Sequence, residues 1–252
     1  MTRNMKCIRC GKCVQACPIG AITMDEKEGR RIDWAQCNQC LECAHVCPAE
    51  AIVVCGKYMS LGEVMAEVES DRLFYQNSGG GVTVSGGEPL SQPEFVQELL
   101  KRCKERELHT ALDTSGYAPW SKLEKILEYV DLVLFDVKHL DPHQHREGTG
   151  QSNELILDNL EKTAAKVRTW LRVPLIPGYN DSVEHVTKLA ELGRRVGAEK
   201  ISLLPYHEWG KAKYEQIGRH YSMDQTPAPT PEHLQELQEI IQGLELKATI
   251  SS

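Results

Sequence analysis

CIRCGKCVQACPIGAI, residues 7–22, and CNQCLECAHVCPAEAI, residues 37–52, are two copies of one pattern, Cys-x2-Cys-x2-Cys-x3-Cys-Pro-x2-Ala-Ile. Together they hold eight of the ten cysteines: Cys7, Cys10, Cys13 and Cys17, then Cys37, Cys40, Cys43 and Cys47. A zinc ribbon or a disulfide framework is the plainer reading. Zinc sites use paired ligands, however, and not four cysteines spaced 2-2-3 ahead of a proline. Each half is too short to bury a core alone. Two halves closed around metal can fold, because ligation supplies free energy that a small apolar core lacks.

The spacing resembles that of the bacterial ferredoxins that carry two 4Fe–4S clusters, in which the fourth cysteine of each run ligates the other cluster. That resemblance implies one cluster on Cys7, Cys10, Cys13 and Cys47, and a second on Cys37, Cys40, Cys43 and Cys17. Cys55 and Cys103 have no spaced partner and are not counted as ligands.

The remaining composition narrows the setting. A net charge of −7 with no Lys/Arg stripe argues against nucleic acid. The N-terminal MTRNMKCIRC has no apolar h-region, and no run reaches the length of a membrane span. Cluster-spaced cysteines without an export signal fit a reducing cytoplasm, and exposed clusters of this kind fit an anaerobic one.

The cysteine module is expected over 1–57. From Tyr58 onward short β-rich runs alternate with helical stretches. The runs are GVTVSGG (81–87), HTALDTSG (109–116), DLVLFDVKH (131–139), TWLRVPLIPG (169–178) and KISLLPYH (200–207), with LKATI (246–250) as a sixth candidate. Helical patterns lie near 61–74, 92–107, 121–129, 153–168, 182–197 and 231–243, with Ser91 and Thr230 as caps. Repeated βα units of this length predict a parallel sheet. A closed eight-stranded barrel takes about 250 residues. The roughly 195 after Lys57 therefore predict an open, partial (β/α) barrel over 58–252, in an α/β chain led by a small α+β module.

Each run ends in polar residues: Gly86, Gly87 and Glu88; Asp113 and Thr114; Asp136 and Lys138; and His207. Arg172 lies on the fourth. Strand C-termini are where parallel αβ folds place ligands. Ordinary solvated strand ends are the alternative.

VSGGEP (84–89), DTSG (113–116), DVK (136–138), VPLIPGYND (173–181) and LLPYHEWGKAKYEQIG (203–218), behind the cysteine module, resemble the activating enzymes of glycyl-radical enzymes. These are radical S-adenosylmethionine (SAM) proteins. The resemblance covers essentially the whole chain. It implies reductive cleavage of SAM to a 5′-deoxyadenosyl radical, which takes hydrogen from a glycine of a partner glycyl-radical enzyme. A flavodoxin or ferredoxin would be the electron donor.

It also implies roles. Gly86 and Gly87 let backbone approach the methionine half of SAM, and Glu88 orients that junction or the ammonium. Asp136, Val137 and Lys138 are SAM contacts, with Lys138 facing the carboxylate. Arg172 points into the same pocket, and His207 meets ribose or adenine. Asp113 and Thr114 resemble the holders of a monovalent cation beside SAM. An internal Lys138–Asp136 ion pair, and a His207 that only caps its loop, are the plainer alternatives.

One family feature is missing. The Cys-x3-Cys-x2-Cys that binds a third 4Fe–4S cluster, the one that chelates SAM, does not occur in these residues. The expectation is that Met1 is an internal methionine of a longer protein and that the chain by itself is inactive. A short form that only carries electrons is the competing expectation. The histidines of KHLDPHQHREGTG, His139, His143 and His145, are read as loop residues and not as a metal site. Trp120, Trp170 and Trp209 are read as packing residues, with Trp209 near the pocket mouth.

Overall fold

The computed structural model describes residues 1–25, 27, 29–223 and 225–251. They form two compact units, one of Met1–Tyr58 with His207–Gln225, the other of Met59–Tyr206 with Thr226–Ser252.

In the first unit each cysteine run turns into a short helix just after its second cysteine, Lys12–Ala16 and Glu42–His45. Both are entered through a left-handed residue, Gly11 at φ 73° and Leu41 at φ 68°. Strands β1 (Ile22–Asp25) and β2 (Gly29–Ile32) pair antiparallel, with Ile22 opposite Ile32. The apolar core is small: Cys13, Ile22 and Ile52 are buried, with Val14, Met24 and Ile32 against them.

Segment 207–225 belongs to this unit, so one uninterrupted barrel domain over 58–252 does not describe the chain. The physical reason lies in two contacts. The Thr2 N–H donates to the Gln216 carbonyl at 2.9 Å. Gly218, at φ +67°, lies so close to the Trp34 ring that a Cβ there would stand 1.8 Å from Trp34 Cδ1. Only glycine satisfies both the left-handed backbone and that approach.

The second unit is built on six parallel strands: β3 (Gly81–Val84), β4 (His109–Thr114), β5 (Leu132–Asp136), β6 (Thr169–Leu175), β7 (Lys200–Pro205) and β8 (Lys247–Ile250). They pair in chain order, and among the described residues the sheet stays open between β8 and β3. Helices Pro93–Glu105, Trp120–Leu127, Glu154–Ala164, Val183–Val196 and Pro231–Gly243 link them. Their apolar faces close on the sheet. Leu100, Leu112, Leu123, Phe135, Leu160, Leu171, Leu189 and Leu237 form one continuous core. Period-two alternation sorts β5 and its extension: Val133, Phe135 and Val137 are buried, while Leu134, Asp136 and Lys138 face the other way and are half-buried.

Two local expectations change. Ser91 does not cap the following helix. It ends a one-turn 3-10 segment, Pro89–Ser91, and Gln92 stands at the helix start. Residues 142–149 are a helix and not a loop: Asp141 accepts from the His143 and Gln144 N–H groups at 2.9 Å, and Pro142 takes the first position. Thr230 does cap its helix, accepting from the His233 N–H. Among the described residues no helix is long and apolar enough to cross a membrane.

Candidate functional site

Two cavities of the first unit sort the eight cysteines three and one. Cys7, Cys10, Cys13 and Cys47 line one, together with Ile8, Met24 and Arg30. Cys37, Cys40, Cys43 and Cys17 line the other, with Ile19, Ile32, Trp34 and Ile217. Each run thus contributes its last cysteine to the cavity of the other, because the chain turns away through the proline that follows it. No disulfide joins any of the cysteines.

Their ionisation follows their surroundings. Burial pushes the Cys13 thiol up, against the pull of Arg30. Burial likewise raises Cys43, reinforced by Cys37 and Cys40. For Cys17 and Cys47 partial burial is outweighed by backbone N–H groups around each sulfur, which lower both. Such donors stabilise thiolate, the form that ligates metal. Among the described residues no three His, Cys, Asp or Glu side chains converge tightly enough for a single metal ion. A 4Fe–4S cage suits a wider set, since four cysteines ligate four irons.

A second feature lies at the C-terminal ends of β3, β4 and β5. Ser85, Gly86, Gly87, Glu88, Asp113, Thr114, Ser115, Asp136 and Lys138 line a cleft of about 200 Å3. Glu88 ties it together. One carboxylate oxygen accepts from the Thr114 hydroxyl at 2.6 Å and the Leu90 N–H at 3.1 Å. The other accepts from the Ser115 N–H at 3.0 Å and hydroxyl at 2.6 Å. Both oxygens are engaged, which makes Glu88 a clamp between the β3 and β4 loops. Gly86 is at φ +128°, and a Cβ on Gly86 or Gly87 would meet no atom within 4 Å. The backbone there borders open space, as a ligand that packs on it requires.

Charges on the rim are paired. Lys138 Nζ stands 3.0 Å from Asp136 Oδ2, both side chains half-buried. Arg172 pairs with Asp113, which also accepts from the Ser85 hydroxyl at 2.9 Å. Among the described residues Asp136 Oδ1 is buried without a partner, an unmet acceptor beside the Lys138–Asp136 pair. Asn180 holds the wall. Its amide donates to the Lys138 and Pro174 carbonyls, both at 2.7 Å, and accepts from the Ile176 N–H at 2.7 Å.

The structure places Gly86, Gly87, Glu88, Asp113, Thr114, Asp136 and Lys138 on one cleft, with Arg172 bonded to it through Asp113. Val137 lies elsewhere: its side chain is 1% exposed, in the core behind the sheet. His207 belongs to the first unit, exposed, with its ring 4.3 Å from that of Trp209. Trp209 is itself 74% exposed and packs into no core. The three loop histidines do not meet. His145 is buried, with Nδ1 2.7 Å from the Gln151 carbonyl, whereas His143 is exposed. His139 accepts from the Asp141 N–H and lies against Tyr179 and His185. Of the other cysteines, Cys103 is buried beside Met65, and Cys55 is exposed with its sulfur 3.3 Å from that of Met1. Sequence reasoning passed over Ser85, Ser115, Asn180 and Arg30. The strand-end rule could have caught the serines, and the buried turn of PGYND could have caught Asn180. Nothing local marks Arg30.

A parallel βα sheet with a glycine-lined cleft at its strand ends, preceded in the chain by a module that gathers cysteines in fours, defines a class. Residues 39–190 match the radical SAM superfamily, and residues 6–51 match the 4Fe-4S dicluster domain. The chain belongs to the radical SAM superfamily, among the activating enzymes of glycyl-radical enzymes. It is 41% identical over 251 residues to the choline trimethylamine-lyase activating enzyme of Oleidesulfovibrio alaskensis, covering 97% of this chain and 81% of that one. It is 38% identical over 225 residues to the isethionate sulfite-lyase activating enzyme of Nitratidesulfovibrio vulgaris, covering 88% and 73%. Among solved structures, a domain of pyruvate-formate lyase-activating enzyme from Bacteroides vulgatus superposes with a TM-score of 0.59 at 34% identity, over 69% of this chain and 99% of that one.

Proposed function

We propose that this protein relays electrons singly through two 4Fe–4S clusters toward bound SAM, in the service of activating a partner glycyl-radical enzyme. The reading rests above all on the sorting of the cysteines: Cys7, Cys10, Cys13 and Cys47 for one cluster, Cys37, Cys40, Cys43 and Cys17 for the other. When bound, such clusters supply one-electron chemistry at low potential. The chain's own part is to present thiolates, and the backbone donors at Cys17 and Cys47 favour that form.

At the cleft, Lys138 would leave Asp136 for the SAM carboxylate, exchanging one charge-assisted hydrogen bond for another. Asp136, with an oxygen already unmatched, and Asp113 with Thr114 would then hold a cation or the SAM ammonium. Glu88 stays engaged with the two loops and keeps the glycines in place. Arg172 stays paired with Asp113. His207 is assigned to the adenosine half on family resemblance.

The 252 residues hold no Cys-x3-Cys-x2-Cys, and no cysteine lies among the cleft residues. The donor set for a third cluster is therefore not among them, and we infer that these residues by themselves do not cleave SAM. The partner lyase stays a class: the relatives named for choline and isethionate lyases are almost equally similar. A flavodoxin or ferredoxin as donor, and an anaerobic cytoplasm, complete the proposal.

Iron and sulfide analysis of the reconstituted protein, with EPR after reduction, tests it. About eight irons are expected, four per cluster. A reproducible content near about twelve would mean that other residues complete a third site. Incubation with dithionite and SAM should yield no 5′-deoxyadenosine by chromatography, and turnover there would overturn the assignment of the missing triple.

A further inference from the structure

Arg30, on β2, lines the same cavity as Cys7, Cys10, Cys13 and Cys47. It is 8% exposed. One terminal nitrogen donates to Asn4 Oδ1 at 2.8 Å and to the Ala51 carbonyl at 3.1 Å. Both acceptors are neutral and leave the guanidinium charge uncancelled. Among the described residues its Nε is buried with no hydrogen-bond partner. A buried cation with an unmet donor beside four thiols is an expensive arrangement unless something anionic occupies the space. Arg9 and Lys12 also border this cavity but are exposed, where water and salt screen them. The second cavity differs. Its walls are mostly apolar, Ile19, Ile22, Ile32, Trp34 and Ile52; of the cations on it among the described residues, Arg219 is exposed and the Met1 ammonium, half-buried, donates to the Val53 carbonyl at 3.0 Å.

We propose that Arg30 sets the two clusters apart in potential, making the one held by Cys7, Cys10, Cys13 and Cys47 the more easily reduced. Reduction adds one electron, and so one negative charge, to a cage already bound by four thiolates. The electron comes from a low-potential one-electron donor and needs no proton. A buried positive charge stabilises the added negative charge far more than a solvated one does, because the Coulomb energy scales inversely with the local dielectric. Net charge and hydrogen bonding to the cluster are the recognised levers on its potential. An electron that enters the pair therefore settles on the cluster beside Arg30.

The proposal rests on the two-cluster reading, and its test separates the two. Anaerobic, fully reconstituted protein is titrated with dithionite in the presence of mediators, and each reduced cluster is followed by EPR. Cys10→Ser and Cys40→Ser label the components, since an oxygen ligand alters the signal of its own cluster. Two one-electron steps are expected, the higher-potential one on the component that Cys10→Ser alters. Arg30→Gln lowers the equilibrium constant of that step at least tenfold, about 59 mV for one electron, and leaves the other step within about twofold. Arg30→Lys retains most of the potential because it keeps the charge, and Arg219→Gln moves neither step. Protein that binds no pair of four-iron clusters would defeat the two-cluster reading itself. Two intact clusters with the higher step on the Cys40 component, or an Arg30→Gln variant that shifts neither step or both alike, would overturn the role of Arg30. If Arg30→Gln fails to load iron, the order of the two steps in the unmodified protein and the Arg30→Lys value decide the matter.

Discussion

The two compact units are held together in opposite ways. The second has a continuous apolar core under a six-stranded parallel sheet, with large side chains such as Phe135, Leu123 and Leu160 fully buried. Among the described residues the first centres on a cluster of three buried apolar side chains, one of them a cysteine, beside a two-stranded sheet. A core that small does not offset the ordering of its chain, which is why short domains rely on metal or disulfides. Fold stability in one unit comes from burial. In the other it is tied to the group that its cysteines hold.

The comparison breaks most directly on iron. Anaerobic chelation should abolish amide hydrogen-exchange protection across residues 12–52 while leaving the parallel strands protected, because the ligation energy is folding energy for the first unit alone. Equal protection of both units in apo protein would contradict it. The mirror experiment is Leu123→Ala. Its side chain is fully buried in the second core, and truncation should cost that unit about 2–5 kcal/mol in denaturant unfolding. Iron content should stay unchanged.

Acid sharpens the contrast further. His185 sits half-buried against His139. Burial, helped by the charges of His139 and Lys188, brings its pKa down from 6.5 to about 4. The unfolded chain therefore takes up this proton before the folded one does. Stability of the second unit is unaffected above about pH 6.5 and falls as pH drops toward about 4, by up to about 3 kcal/mol from this residue. His185→Gln should flatten that part of the pH profile, and a variant with an unchanged profile would refute the assignment. The smallest effect expected is at the cleft wall. Asn180→Ala leaves two carbonyls and one N–H without their partner, and should destabilise the second unit by about 1–3 kcal/mol. Asn180→Asp should restore little. It can still accept from the Ile176 N–H, but it sets a carboxylate against two carbonyl oxygens.

Much of the second unit was legible in advance. The six β-rich runs all became strands, since their patterning is local and the alternation with helices admits few topologies. The helix 142–149 was hidden, because PHQHREGT carries no apolar stripe. Its one cue was Asp141 ahead of Pro142. Val137 stands between Asp136 and Lys138 in one motif, yet neighbours along a strand point to opposite faces. Most cleft residues were legible through family motifs. Their state was not: Glu88 with both oxygens engaged and Asp136 with one oxygen unmet depend on which loops meet.

The cysteine runs, the βα alternation and the polar strand ends can be read along the chain alone. Ligand spacing and hydrophobic period are properties of neighbouring residues and survive without a fold. That 207–225 packs with the first unit through Gly218 and Trp34, and that Arg30 is buried beside four of the cysteines, emerges only from the folded chain. Contacts between residues far apart in the chain leave no periodic trace. They are selected by packing and by the electrostatics of the space that the fold encloses.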